Sequence, residues 1–164
     1  RSSDSGVDFI PFGTEDDHPV AGDFDGDGKD DIALYRPLGD SGYSEWWYLR
    51  SSDGTNRAVS WGDPTDVPAP GDYTGDGKTD IAVYRPSTGI WHIQRSEDES
   101  YYAFPFGIAE DKPVPGDYDG DGRIDPAIYR PSTGTWYINR STEGIFIQTY
   151  GTQTDKAIPH SAIE

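Results

Sequence analysis

The chain has 164 residues, of which 33% are hydrophobic and 13% aromatic, and its formal net charge is −17. This length suits a single domain, and the shortage of aliphatic residues predicts a core built from a few large rings. The chain has no basic patch and no apolar stretch long enough to span a bilayer, which argues against nucleic acid as a partner and against membrane insertion. The absence of cysteine excludes disulfides and thiolate metal sites.

A motif rich in glycine and aspartate occurs three times along the chain. It reads Gly-Asp-Phe-Asp-Gly-Asp-Gly from Gly22, Gly-Asp-Tyr-Thr-Gly-Asp-Gly from Gly71 and Gly-Asp-Tyr-Asp-Gly-Asp-Gly from Gly116. Oxygen-bearing side chains on alternate residues, separated by glycines that permit positive-φ turns, provide the hard oxygen ligands that Ca²⁺ accepts. The motifs start 49 residues apart (22 to 71) and 45 residues apart (71 to 116), so the sequence predicts an array of repeated units.

Each unit carries the same elements in the same order. The loop motif is followed by a β-forming segment that ends in Tyr-Arg-Pro and then by a segment that starts at a tryptophan. Turn residues recur about every 8 to 12 residues and no helical periodicity is present, which predicts an all-β chain. In the first unit we predict strands at Pro19–Phe24, Asp31–Arg36, Trp46–Arg50 and Arg57–Trp61. Four antiparallel strands in about 45 residues is the pattern of a β-propeller blade.

The repeated motifs resemble a known family. The series aromatic-Gly, Asp-x-Pro-Val, Gly-Asp-aromatic-Asp-Gly-Asp-Gly and x-x-Asp-Ile-Ala-Val is similar to the FG-GAP repeat, including its bacterial VCBS-like branch, the repeat type of the integrin α-subunit propeller. The aromatic–glycine pairs begin at Phe12, Trp61, Phe106 and Tyr150. The resemblance covers nearly the whole chain, and it implies β-propeller blades in which the hairpin between the first two strands binds Ca²⁺.

The expected architecture is therefore all-β, with three four-stranded antiparallel propeller-type blades in a single repeat domain spanning residues 1–164. We place the three units at about 14–62, 63–107 and 108–151. An extra N-terminal strand is expected at about 7–12, and residues 152–164 form a partial fourth repeat whose first strand begins at Ala157.

Each loop is predicted to bind one Ca²⁺ through positions 1, 3, 5, 7 and 9, with position 7 contributing its backbone carbonyl. The predicted ligands are Asp23, Asp25, Asp27, Lys29 and Asp31 in the first loop; Asp72, Thr74, Asp76, Lys78 and Asp80 in the second; and Asp117, Asp119, Asp121, Arg123 and Asp125 in the third. Because Thr74 offers a neutral hydroxyl where the other loops have a carboxylate, we expect the second site to be the weakest. Three bound ions would change the formal charge from −17 to −11.

Three alternative interpretations of the loops were weighed. An EF-hand requires a bidentate glutamate at position 12, but that position holds Leu34, Val83 or Ile128 within a predicted strand, which rejects it. Mg²⁺ is disfavoured because a flexible loop with a carbonyl ligand does not impose its small octahedron. A metal-free Asp/Gly turn is disfavoured by the recurrence of the whole pattern in three loops.

Other residues have both a functional and a structural explanation. The recurring pairs Tyr35-Arg36, Tyr84-Arg85 and Tyr129-Arg130 could form ligand pockets, but we expect packing within and between units, because a feature present in every repeat usually serves the repeat. Asn139-Arg140-Ser141 fits the N-glycosylation triplet, although Arg-Ser recurs at equivalent positions. His18, His92 and His160 belong to no recognisable catalytic arrangement, so we predict that the chain is not an enzyme.

Three blades are fewer than the 4 to 8 that typically close a propeller. Exposed faces and strand edges therefore predict a homo-oligomer, a head-to-tail polymer, or further blades of a larger chain.

The lack of an initiator methionine and of a signal-like segment fits a mature secreted product or an excised piece, and weak calcium sites fill where Ca²⁺ is abundant. We predict an extracellular or cell-surface, calcium-stabilised module with a structural, self-assembling or adhesive role. The alternative is a carbohydrate-binding, lectin-like module of a secreted protein, with glycans as ligands.

Overall fold

The computed structural model of the protein describes residues 9–157. Over this range the regular structure is entirely β and contains no helix, so no helix in the described part of the chain could cross a membrane. The strands form three four-stranded antiparallel sheets. The predicted all-β fold and the predicted four-strand pattern are therefore confirmed, whereas closure into a propeller stays a prediction.

The strands of each sheet follow one another in chain order, so that every sheet is a meander. Sheet 1 contains β1 (His18–Gly22), β2 (Asp31–Arg36), β3 (Glu45–Leu49) and β4 (Asn56–Ser60). Sheet 2 contains β5 (Val67–Pro68), β6 (Ile81–Arg85), β7 (Ile90–Gln94) and β8 (Tyr101–Pro105). Sheet 3 contains β9 (Lys112–Pro113), β10 (Ala127–Arg130), β11 (Thr135–Arg140) and β12 (Gly144–Thr149).

The predicted strands of the first unit agree with the structure to within one or two residues, and β2 has the predicted bounds. The largest difference is the end of the first strand, which we predicted at Phe24 but which lies at Gly22. The strand stops there because the Asp23 carboxylate accepts hydrogen bonds from the following loop backbone, which turns the chain away from the sheet.

The three sheets pack against one another in chain order. One hydrophobic cluster joins Phe24, Tyr35 and Trp46 of the first unit to Ile81 and Val83 of β6. A second cluster contains Tyr84, Trp91 and Ile93 of sheet 2 together with Ile128 of β10. Sheet 2 is therefore covered on both faces, which is why β6 reads as a continuous buried apolar run rather than an alternating one. The large buried rings confirm the predicted aromatic core.

The predicted ends differ from the observed ones. Residues 7 and 8 of the predicted N-terminal strand lie outside the described residues, and Phe9 to Phe12 form no strand. A strand needs a hydrogen-bonded neighbour, and the described residues offer none at this edge. In the partial repeat, the Asp155 carboxylate accepts from the backbone N–H of Thr152, as Asp111 does from Ile108. The strand predicted from Ala157 onward lies almost wholly outside the described residues.

Candidate metal centre

Each acidic loop joins the first two strands of its sheet and is shaped by its position-1 aspartate. The Asp23 carboxylate accepts hydrogen bonds from the backbone N–H groups of Gly26 at 2.6 Å and Gly28 at 2.7 Å. These glycines have φ values of +80° and +86°, a region that side chains disfavour. Asp72 and Asp117 make the same bonds in the second and third loops. The predicted glycine turns are confirmed in all three.

The position-9 aspartates connect each loop to the turn between the third and fourth strands. Asp80 is fully buried, and it accepts hydrogen bonds from the N–H groups of Tyr73 at 2.9 Å and Ser96 at 2.7 Å. Asp31 and Asp125 have the corresponding partners. Burial raises the pKa of all three carboxyls, because desolvation disfavours the charged form. No ion pair to these three appears among the described residues, so a bound cation would offset the cost of their burial.

The carboxylates converge in two of the three loops. The ligand oxygens of Asp23, Asp25 and Asp27 all lie within 4.8 Å of one another. A second group with the same spacing is formed by Asp117, Asp119 and Asp125. Asp119 Oδ1 is buried without a hydrogen-bond donor, and an oxygen of this kind is satisfied when it binds a cation. The oxygen-only donor sets and this unpaired atom fit Ca²⁺.

Other predicted ligands are not gathered as closely. Asp31 and Asp121 lie outside these two groups, and within the described residues the second loop forms no such group. Asp27 is 3.2 Å from the Lys29 ammonium, so one of its oxygens is already paired with a cation. At position 7 the N–H of each residue donates to the position-5 carboxylate. Coordination by the carbonyls of Lys29, Lys78 and Arg123, and the presence of three sites, stay predictions.

Sequence reasoning missed the hydroxyl residues that support the carboxylates from the turn after the third strand. The Ser52 hydroxyl donates to Asp25 at 2.6 Å, and the Thr142 hydroxyl donates to Asp119 at the same distance. These bonds lower the pKa of both aspartates and hold them ionised. Their signal was the recurring Arg-Ser pair that precedes them. The second unit differs, because Glu97 occupies this turn position where Thr74 replaces the aspartate.

Neighbouring loops stack on one another. The N–H of Thr79 donates to the carbonyl of Asp23 at 2.7 Å, and the N–H of Ile124 donates to the carbonyl of Asp72 at 2.8 Å. The Arg123 guanidinium also donates to the carbonyl of Tyr73. A groove of about 290 Å³ is lined by residues of all three loops. The predicted metal sites therefore lie side by side along one edge of the stacked sheets.

The recurring Tyr-Arg pairs serve packing, as expected. Each arginine forms a two-pronged ion pair with the aspartate that precedes the first strand of its own unit, and each tyrosine hydroxyl donates to the turn that opens the next unit. The arginine pairs are Arg36–Asp17, Arg85–Asp66 and Arg130–Asp111. The tyrosine bonds are Tyr35 to Asp63, Tyr84 to Ile108 and Tyr129 to Thr152.

Asn139 is half-buried within β11, and its backbone N–H donates to the carbonyl of Pro126. Its glycosylation stays a prediction.

Comparison with known families gave one result. Residues 23–83, from the first loop through the second loop and most of β6, match the family model described as FG-GAP-like repeat. No curated protein matches the chain at a significant level.

Proposed function

We propose that this chain, whose residues 23–83 match the FG-GAP-like repeat family, is a non-catalytic, calcium-stabilised module that acts outside the cell by stacking with further repeats of its own kind. The module has a structural or adhesive role. The contacts that recur between its units form the joints between repeats, and further copies would extend the same joints beyond the third unit.

The observation that carries this proposal is the exposure of one ring. The aromatic residue at position 2 of the loop is buried in the first two units, with Phe24 at 8% and Tyr73 at 4% exposure. In each case the following unit packs against it. In the third unit the equivalent Tyr118 is 40% exposed. We call the face of unit 3 that carries Tyr118 its trailing face. The equivalent surface of units 1 and 2 is buried at the two internal joints.

At the opposite end of the stack, the face of unit 1 that carries Ile32, which we call the leading face, is also exposed. Ile81 of β6 packs into the joint between units 1 and 2 and is 8% exposed, whereas the equivalent Ile32 of β2 is 44% exposed. Because the equivalent positions are buried at the internal joints, the exposure of Ile32 and Tyr118 at the two ends of the stack favours contact with a further repeat. Because the leading and trailing faces differ, their contact is heterologous and continues from copy to copy unless the rotation closes a ring.

We expect bound calcium to reduce the charge repulsion between neighbouring loops. The joints bring acidic loops together in a chain whose net charge is −17, and like charges in contact oppose association. A divalent ion in each loop reduces this repulsion and fixes the loop whose backbone forms the joint. We therefore expect assembly to require Ca²⁺.

Light scattering coupled to size-exclusion chromatography tests the proposal. In Ca²⁺ we expect species larger than the 18.1 kDa monomer, and in EDTA a shift toward monomer. The variant Ile32→Asp removes the apolar contact of the leading face and should abolish the larger species. Leu38→Asp, at an exposed apolar residue in the turn after β2, is the matched control and should assemble normally. A calcium-loaded monomer at every protein concentration would contradict the proposal.

A further inference from the structure

A cavity of about 570 Å³ lies between sheets 1 and 2, at the end of β6 away from the acidic loop. Its lining includes Tyr43, Trp61, Asp63, Arg85, His92 and Tyr101. None of these residues is a predicted metal ligand. The volume falls within the range of about 300–1,000 Å³ that is usual for small-molecule sites.

Two polar atoms of this lining have no partner. Trp61 Nε1 and His92 Nε2 are buried and make no hydrogen bond to any residue that the structure describes. Unpaired buried polar groups are rare and costly in native structures. The ring of Tyr101 packs against both side chains, with centroid distances of 5.3 Å to Trp61 and 6.0 Å to His92. Tyr101 is 53% exposed and its hydroxyl lies 2.9 Å from His92 Nδ1, so an occupant of the cavity reaches both nitrogens when this ring moves and exchanges that hydrogen bond for one to the ligand.

The lining departs from the repeat at several positions. The residue equivalent to His92 is Trp47 in unit 1 and Tyr137 in unit 3, and in both an arginine lies over the aromatic ring. In unit 2, Arg85 instead makes a 2.8 Å ion pair with Asp63. Residues common to all repeats serve the repeat. Residues found at one junction only, such as His92, are free to serve a ligand.

Arg85 keeps the pair with Asp66 that recurs in every unit, but its second pair, with Asp63, belongs to this junction. Trp61 differs from its repeat equivalents in that it carries an indole nitrogen, which is left unpaired among the described residues.

Two further lining residues belong to this junction alone. The position of Asp63, directly after the aromatic–glycine pair, is taken by Ile108 at the next junction. Tyr43 comes from the segment after β2, which is four residues longer in unit 1 than its equivalents. The insertion therefore contributes an exposed ring to the cavity.

The chemistry of the lining selects a class of ligand. Tyr43, Tyr101 and Trp61 offer aromatic faces for an apolar ring surface, Asp63 accepts hydrogen bonds, and Arg85 donates them. Burial lowers the pKa of His92, and the Arg85 charge adds to this effect, so the imidazole is neutral at neutral pH. Asp63 and the strongly negative net charge disfavour an anionic ligand. A ligand with an apolar ring face and hydroxyl groups that both donate and accept satisfies every one of these groups.

We propose that this cavity binds a neutral saccharide, with its ring against Tyr101 and Tyr43 and its hydroxyls on Asp63, Arg85, Trp61 Nε1 and His92 Nε2. The site is independent of the metal loops and of the assembly of repeats. It gives the module one ligand site at a single junction rather than one in each repeat.

The test is an NMR titration of the full chain with neutral mono- and disaccharides of glucose, galactose, mannose and N-acetylglucosamine, at concentrations up to about 10 mM, the range of weak binding. The indole N–H resonance of Trp61, assigned with Trp61→Phe, should shift saturably with at least one of them. Sialic acid and glucuronic acid serve as acidic probes and should not bind.

Two variants place the third unit's own residues at this junction and so preserve the repeat framework. Asp63→Ile and His92→Tyr should each weaken binding by about tenfold or more, the effect of losing one hydrogen bond. Tyr137→His makes the reverse exchange at the equivalent position of unit 3 and should leave affinity unchanged. The proposal is overturned if no neutral saccharide shifts the Trp61 resonance, if only acidic sugars bind, or if Asp63→Ile and His92→Tyr bind normally.

Discussion

At the scale of single residues, the position-9 aspartate is the centre of each loop. Asp80 is fully buried, accepts hydrogen bonds from the loop at Tyr73 and from the next turn at Ser96, and forms no ion pair with any residue in the described range 9–157. We therefore propose that it has a structural role without calcium and an additional ligand role with calcium. The position-5 residue Asp76 also accepts hydrogen bonds, from the Lys78 N–H and the Ser96 hydroxyl. Because Asp76 is exposed, water can replace its carboxylate as the acceptor when it is removed.

This difference predicts unequal effects of two alanine variants. Asp80→Ala leaves the Ser96 N–H without its acceptor and leaves the buried Tyr73 N–H with only the Gly71 carbonyl at 3.1 Å. An unsatisfied group costs about 1–3 kcal/mol, so the free energy of unfolding should fall even in EDTA. Asp76→Ala should lower it mainly in the presence of Ca²⁺. Urea denaturation of both variants, with and without Ca²⁺, makes the comparison. Equal losses in EDTA would show that the buried aspartate has no separate structural role.

The second loop allows a gain-of-affinity experiment. In the first loop Asp25 is supported by the Ser52 hydroxyl, whereas the second loop has Thr74 and Glu97 at these positions. Thr74→Asp adds a carboxylate ligand but places it near the Glu97 charge. The double variant Thr74→Asp/Glu97→Ser reproduces the first loop, and it should bind Ca²⁺ more tightly than either single variant. Isothermal titration calorimetry measures this, and unchanged affinity in the double variant would refute the ligand assignment of position 3.

At the scale of elements, the arginine at the end of the second strand of each unit pairs with the aspartate that precedes the first strand. Arg36, at the end of β2, donates to both oxygens of Asp17 at 2.8 and 2.9 Å. This hydrogen bonding lowers the pKa of Asp17 below its ordinary value of 3.8. A carboxyl with a lowered pKa in the folded state adds stability above its unfolded pKa, and that stability is lost as pH falls below it.

The pair therefore makes unfolding depend on pH in the acid range. Asp17→Asn should be less stable than the parent at pH 6, and the difference should shrink as pH falls through 3.8 toward 3. Urea denaturation in calcium-free buffer at several pH values measures this. Asp16→Asn, at the exposed neighbouring residue, is the control and should follow the parent. A stability difference that stays constant from pH 6 to about 3 would rule out the Asp17 carboxylate as its source.

The strands could be predicted from the sequence, because the repeat gives their order and the spacing of glycine and aspartate gives the positions of the loops. The β2 strand agrees to the residue. The hydroxyls of Ser52 and Thr142 were missed because they approach their loops from turns more than 20 residues away, a contact that only the fold creates. The N-terminal strand predicted at about 7–12 is absent over the described residues 9–12, because a strand requires a hydrogen-bonded neighbour and the sequence pattern does not show whether a neighbour is present.

At the scale of the whole molecule, three sheets stack through contacts that recur at each joint. At each joint a backbone N–H of the later loop donates to the preceding loop, and a tyrosine hydroxyl of the earlier unit donates to the opening turn of the next unit. The stack therefore has a direction, with Ile32 open at its leading face and Tyr118 open at its trailing face. Stability in such an array is a sum of unit and joint terms, so ordering the loops stabilises both.

A calcium titration followed by thermal unfolding tests the central claim most directly. Each filled site adds about 2.7 kcal/mol at a hundredfold excess of Ca²⁺ over its dissociation constant, and a domain of this size gains about 2–4 °C in Tm per kcal/mol. We predict a stepwise or graded rise in Tm with Ca²⁺, reversal by EDTA, and a calorimetric stoichiometry of one ion for each of the three loops, with the Thr74 loop filling last. A Tm that is the same in Ca²⁺ and in EDTA would contradict the account.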